Sequence, residues 1–145
     1  MLKSILTCFL AAFAMVLADQ IFIYGPPTNG IYHPKDVMDI RYQVRFIGMT
    51  KIWQTSATLV HDATNTTIDT FPAVKWNAYS KKNSAHKSWS IPLGLPDGNY
   101  TLSINANVTR LCSKNSDGNA PFTQCSTILS EHRSFVISNS TQTNA

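Results

Sequence analysis

Strict alternation of apolar and polar residues constrains this chain more than any other feature. Across 38–46 every even position (Met38, Ile40, Tyr42, Val44, Phe46) is apolar and every odd one (Asp39, Arg41, Gln43, Arg45) is polar. The pattern returns at 100–109, where Tyr100, Leu102, Ile104, Ala106 and Val108 alternate with Thr101, Ser103, Asn105, Asn107 and Thr109. A strand sends successive side chains to opposite faces, so this period produces one buried face and one wet face. Strands of that kind belong to antiparallel sheets, and no window carries a helical stripe. Residues 20–24, 56–61, 66–71, 87–93 and 133–138 read as shorter strands of the same type.

Breakers separate these runs: Gly25-Pro26-Pro27, Thr28-Asn29-Gly30, His61-Asp62-Ala63, Asn77-Ala78 and Pro96-Asp97-Gly98. Proline fixes φ and lacks an N–H, while glycine and asparagine tolerate positive φ. About seven short strands with turn signals between them predict an immunoglobulin-like antiparallel β-sandwich. Residues 113–123 read as one long polar loop inside it. The run Pro96-Asp97-Gly98-Asn99-Tyr100-Thr101-Leu102 resembles the corner entering strand F of immunoglobulin-like domains, whose tyrosine hydrogen-bonds back across the turn. Leu102 stands where those domains often have a core cysteine, and Trp89 and Ile91 are expected inward.

The ends bear on compartment. Met1-Leu2-Lys3-Ser4, an uncharged apolar run to Leu17 and small residues at Val16-Leu17-Ala18 have the layout of a secretory signal peptide, with cleavage expected after Ala18. The run is shorter than the ~20 apolar residues a membrane span needs. The stretch 139–145 is polar, without the hydrophobic tail of a GPI signal. The expectation is a soluble, released chain with no membrane anchor: a signal over 1–18, one sandwich domain over 19–138 and a short tail over 139–145. The formal charge of +4 falls to +3 without Lys3, too mild an excess to indicate nucleic acid.

Of the three cysteines, Cys8 lies in the signal, which leaves Cys112 and Cys125 as an even pair expected to form a disulfide. Asn65, Asn99, Asn107 and Asn139 head Asn-x-Ser/Thr sequons and are candidate glycosylation sites. Asn99 and Asn107 share parity with a polar strand face, and Asn65 falls in a turn.

Catalytic signatures are weak. Glu131 is the only glutamate, aspartates such as Asp36, Asp62, Asp97 and Asp117 sit in turns or on polar faces, and no serine elbow or His-Glu-x-x-His run occurs. His33, His61, His86 and His132 are isolated and expected at the surface or at strand edges. No catalytic residue, metal site or cofactor is assigned. Aromatic residues offer a better lead, because exposed rings stack on the C–H faces of sugars. Tyr32, Trp53, Trp76 and Tyr79 are expected in loops or at strand ends. Trp76 and Tyr79, beside Lys81 and Lys82, form the candidate carbohydrate-binding edge.

Several segments together are similar to the N-terminal immunoglobulin-like domain of the fungal Kre/Knh cell-wall synthesis family. They are Ile21-Phe22-Ile23-Tyr24-Gly25-Pro26-Pro27, Gly30-Ile31-Tyr32, Asp39-Ile40-Arg41-Tyr42, Trp89-Ser90-Ile91-Pro92, the stretch Leu95-Pro96-Asp97-Gly98-Asn99-Tyr100-Thr101-Leu102, and Ser134-Phe135-Val136-Ile137. The resemblance implies a non-catalytic glycoprotein of the fungal wall or extracellular matrix, linked to β-1,6-glucan assembly. Set against longer members, this chain is expected to be a short form without the Ser/Thr-rich anchored stalk and the basic C-terminal domain, and it adds the segment bracketed by Cys112 and Cys125. The expected partner is therefore a wall polysaccharide, β-glucan or chitin. The alternative is an extracellular protein, bound by an effector or adhesin domain.

Overall fold

A computed structural model describes residues 20–45, 50–75 and 84–140. Eight strands run β1 (Gln20–Gly25), β2 (Ile31–Tyr32), β3 (Val37–Arg45), β4 (Lys51–His61), β5 (Thr66–Lys75), β6 (Ser84–Ser90), β7 (Gly98–Ser113) and β8 (Phe122–Ile137). They form a three-stranded sheet in the order β1-β3-β6 and a five-stranded sheet in the order β2-β8-β7-β4-β5. All pairings are antiparallel except the short parallel one between β2 and the end of β8. The protein is an all-β sandwich.

The alternation seen in the sequence is the alternation of burial. Met38, Ile40, Tyr42 and Val44 of β3 point inward, as do Tyr100, Leu102, Ile104, Ala106 and Val108 of β7, while Arg41, Arg45 and Asn107 are exposed. Trp89 and Ile91 are buried as expected, and the Trp89 ring meets Phe71 of the opposite sheet edge-on at 6.0 Å between centroids. Tyr42 and Thr55 share a 2.7 Å hydrogen bond across the same interior, which gives the buried Tyr42 hydroxyl a partner. Burial pushes the Tyr42 phenol up, partly opposed by that bond to Thr55.

Tyr100 donates its hydroxyl to the Pro96 carbonyl at 2.7 Å, closing the corner the sequence indicated. Its ring lies 5.9 Å from Phe135 and 4.8 Å from His61. Gly98 opens β7 at φ +147°, where a Cβ would also stand 3.1 Å from the His61 ring, so both conformation and space favour glycine. At the other end of the molecule's first turn, a Cβ on Gly25 would collide with the Asp39 carbonyl oxygen, so β1 approaches β3 there as only glycine allows. Arg133 of β8 reaches the opposite sheet, donating to the Ile23 carbonyl at 2.7 Å and to Thr28 Oγ1.

Three expectations need correction. The polar loop expected over 113–123 is present as Lys114–Pro121, but β8, expected over 133–138, starts eleven residues earlier, at Phe122. None of the β8 side chains before Phe135 is fully buried, so alternation gives little signal there. The strand expected at 87–93 begins three residues earlier and ends at Ser90. The two-residue strand β2 is too short for any period to reveal. His61 is buried, at 4% exposure, because it faces Tyr100 on the same side as Leu59.

Candidate functional site

With one face of each sheet spent on the core, function falls to the outer faces, the edges and the turns. On the outer face of the three-stranded sheet, register sets Phe22 opposite Gln43, Arg41 opposite His86, Asp39 opposite Ser88 and Gln43 opposite Ser84. Tyr24 is 55% exposed and Phe22 is 36% exposed, both on this face. The Tyr24 hydroxyl donates to Gln43 Oε1 at 3.0 Å, which fixes the ring beside an amide whose nitrogen can only donate. One step along the sheet, His86 Nε2 pairs with Asp39. A shallow hollow of about 310 Å³ is lined by Tyr24, Arg41, Tyr42, Gln43 and Ser84. Aromatic rings beside planar amide, guanidinium and hydroxyl groups suit a ligand with both C–H faces and hydroxyl edges.

The outer face of the five-stranded sheet has a different chemistry. Its cross-strand contacts join hydroxyl, amide and ring groups: Ser103 with His132 at 2.9 Å, Ser130 to Asn105 at 2.7 Å, and Trp53 Nε1 to Thr109 Oγ1 at 3.0 Å. Trp53 is 48% exposed and stands where the β4–β7 register shifts between Ile52 and Gln54. Tyr32 lies in β2, half-buried, edge-on to Phe135 at 5.6 Å. Tyr32 ends β2 and Trp53 is the third residue of β4, so both lie near strand ends, as expected.

Two of the sequon asparagines share that second face. Asn99 and Asn107 are exposed on β7, with Asn107 opposite Ile128 of β8. Asn65 is exposed at φ +50° in the turn between β4 and β5. Asn139 differs, because its side-chain nitrogen donates to the Leu95 carbonyl at 2.9 Å and to Asp97 Oδ1. Its backbone N–H reaches the same Asp97 oxygen at 2.7 Å. Asn139 thus clasps the chain end to the corner before β7, and a glycan on that nitrogen would compete with the clasp.

Cys112 and Cys125 are joined by a disulfide, their Cα atoms 6.0 Å apart, near the tip of the β7–β8 hairpin. The turn beyond it is tied by Asp117, which accepts from Ser113 Oγ at 2.6 Å and from the Asn119 N–H at 2.9 Å. Those bonds, the Ser113 one first, hold its carboxyl below the ordinary range. Trp76 and Tyr79, the candidate edge, lie outside the described residues, as do Lys81 and Lys82. Ser84, the first described residue after them, lines the hollow beside Tyr24.

No protein-family model matches the chain, and no curated protein matches its sequence. Among the described residues no three His, Cys, Asp or Glu side chains gather as a metal site would require, and no helix is long and apolar enough to cross a membrane. Sequence reasoning missed Tyr24 and Phe22 because an aromatic in an alternating strand looks like core. Their odd-one-out parity against Ile21 and Ile23 was the signal that could have found them.

Proposed function

We propose that this chain is a secreted, non-catalytic glycoprotein domain that binds a neutral wall polysaccharide, β-glucan or chitin, on the outer face of its three-stranded sheet. The observation carrying this reading is the exposed Tyr24 ring lining a hollow with Arg41, Gln43 and Ser84, and Phe22 exposed on the same sheet face. Stacking takes the apolar face of a sugar ring, and the polar groups take its hydroxyls. Secretion rests on the N-terminal layout and the Cys112–Cys125 bond. Glycosylation is assigned to Asn65, Asn99 and Asn107. None of these stands on the three-stranded sheet, so glycans leave the proposed binding face open.

The strand order and the Tyr100–Pro96 corner also support an immunoglobulin-like reading and, with it, the Kre/Knh resemblance. Trp76 and Tyr79 keep a place in this proposal as neighbours in sequence of Ser84. The test is retention on insoluble β-glucan and chitin. Tyr24→Ala should reduce retention at least about tenfold, roughly the loss of one stacking partner. Added salt should change it little, since screening acts on charges. Unchanged retention in Tyr24→Ala would sink the site, and retention lost only in salt would mean a nonspecific cation patch.

A further inference from the structure

An unpaired strand edge invites another strand, and three of the four outer strands here resist it. Strand β1 is six residues long and breaks register with β3 between Ile23 and Gly25. Strand β6 carries Lys87, whose ammonium sits 5.7 Å from the Phe71 ring. Strand β5 shifts register twice against β4 and contains Pro72, which has no N–H to offer. Strand β8 is different. Strand β2 covers it only at Val136 and Ile137, and from Phe122 to Ser130 its ladder partner among the described residues is β7 alone.

The direction of the free groups on β8 follows from the register. Asn29 donates to the Ser134 carbonyl, and Val136 and Ser138 donate to Gly30 and Tyr32, so even-numbered residues face away from β7. The β7–β8 register is unbroken along the whole hairpin, which carries that parity down to Phe122. The N–H of His132, also even, turns to its neighbour's carboxylate, Glu131 Oε1, at 3.2 Å. The backbone N–H and C=O groups of Phe122, Gln124, Ser126 and Ile128 therefore point out from the edge. No residue from Phe122 to Ser130 is charged or a proline. Phe122 is 55% exposed and Ile128 is 68% exposed, at the two ends of this stretch and on the same outer face.

We propose that two copies of this chain pair antiparallel along this edge, about a two-fold axis through Cys125. That register sets Phe122 opposite the second copy's Ile128 and Gln124 opposite its Ser126, each twice by symmetry. All four residues on each copy meet their partners as hydrogen-bonded pairs, because all are even. An aromatic opposite a β-branched residue is a favourable cross-strand pair, and no like charges meet. A second copy suits the edge because the same uncharged stretch is complementary to itself, as a two-fold interface requires. The result is a continuous sheet of five strands from each copy, with both three-stranded sheets on one side. A contact of seven residues per copy is small, so the association is weak and concentration-dependent.

Sedimentation and amide hydrogen exchange of the purified, oxidised protein, over about a hundredfold range of concentration, test this without any polysaccharide. The expected result is a monomer–dimer equilibrium in which the Gln124, Ser126 and Ile128 amides slow at least about tenfold at high concentration. The Cys125 and Thr127 amides, which face β7, stay protected throughout. Ser126→Pro removes an outward N–H and should return the protein to monomer. Ile128→Lys should do the same by placing a charge beside Phe122, and carries the test if the proline variant fails to fold. A dimer whose even-numbered amides exchange as in the monomer overturns the proposal. So does a monomer at every concentration, which would leave the edge to a foreign strand.

Discussion

The two sheets share one interior and present opposite kinds of surface. The three-stranded sheet shows solvent two aromatic rings and a carboxylate–imidazole pair, and one of those rings lines a hollow with a guanidinium and an amide. The five-stranded sheet shows hydroxyls and amides that largely satisfy one another across strands, with two sequons among them. On the proposed reading the wider sheet carries glycans and the narrower binds them. The lesson is that a sandwich can divide labour between faces without altering its core, because alternation decouples the outer residues from the packing.

That division predicts that the faces fail together when the interior is damaged. Leu102→Ala, at a position with no exposed surface, should cost about 2–5 kcal/mol and lower the melting temperature in a single transition. Two separate transitions by circular dichroism and by Trp89 fluorescence would show that the sheets are independent. A local insult should instead separate them. Reducing Cys112–Cys125 removes a constraint worth about 3 kcal/mol on the chain-entropy model, in a segment remote in sequence from β1 and β3. Stability should drop while polysaccharide retention per folded molecule stays the same.

The core was legible in the sequence because burial has a period there. Ile40, Tyr42, Val44, Leu102 and Ile104 are all nearly or fully inaccessible, and the Tyr100 corner has the hydrogen bond its motif implied. The polar loop at the hairpin tip was legible, but the first half of β8 was not, since none of its side chains before Phe135 is fully buried and no apolar stripe can be read there. His61 was misjudged because a lone histidine next to Asp62 looks like a turn. Tyr24 was hidden among the apolar residues of β1, and only the partner strands decide which of two aromatic or aliphatic sets faces inward.

Tyr100→Phe should cost about 1 kcal/mol by losing its bond to Pro96, a smaller effect than either above. Burial, with the charge of Asp97 behind it, raises the Tyr100 phenol above its ordinary 10.0. Above that pH the unfolded chain ionises its phenols while the folded one keeps Tyr100 and Tyr42 protonated, so stability is full below about pH 10 and falls as pH rises past it. Removing either phenol should flatten that fall, measured as melting temperature against pH. The smallest effect concerns the sequons. Glycopeptide mass spectrometry should find Asn65, Asn99 and Asn107 occupied and Asn139 bare, and a fully occupied Asn139 would contradict the clasp to Asp97.

The most direct measurement of the division between faces is amide chemical-shift mapping of the isotopically labelled protein titrated with a soluble β-glucan or chitin oligosaccharide. The shifts should concentrate on Phe22, Tyr24, Arg41, Gln43, Ser84 and His86, leaving Trp53, Asn105 and Asn107 unmoved. Shifts centred on Trp53 and the outer face of β7, with Tyr24 and Gln43 silent, would place sugar binding on the other sheet and contradict the account.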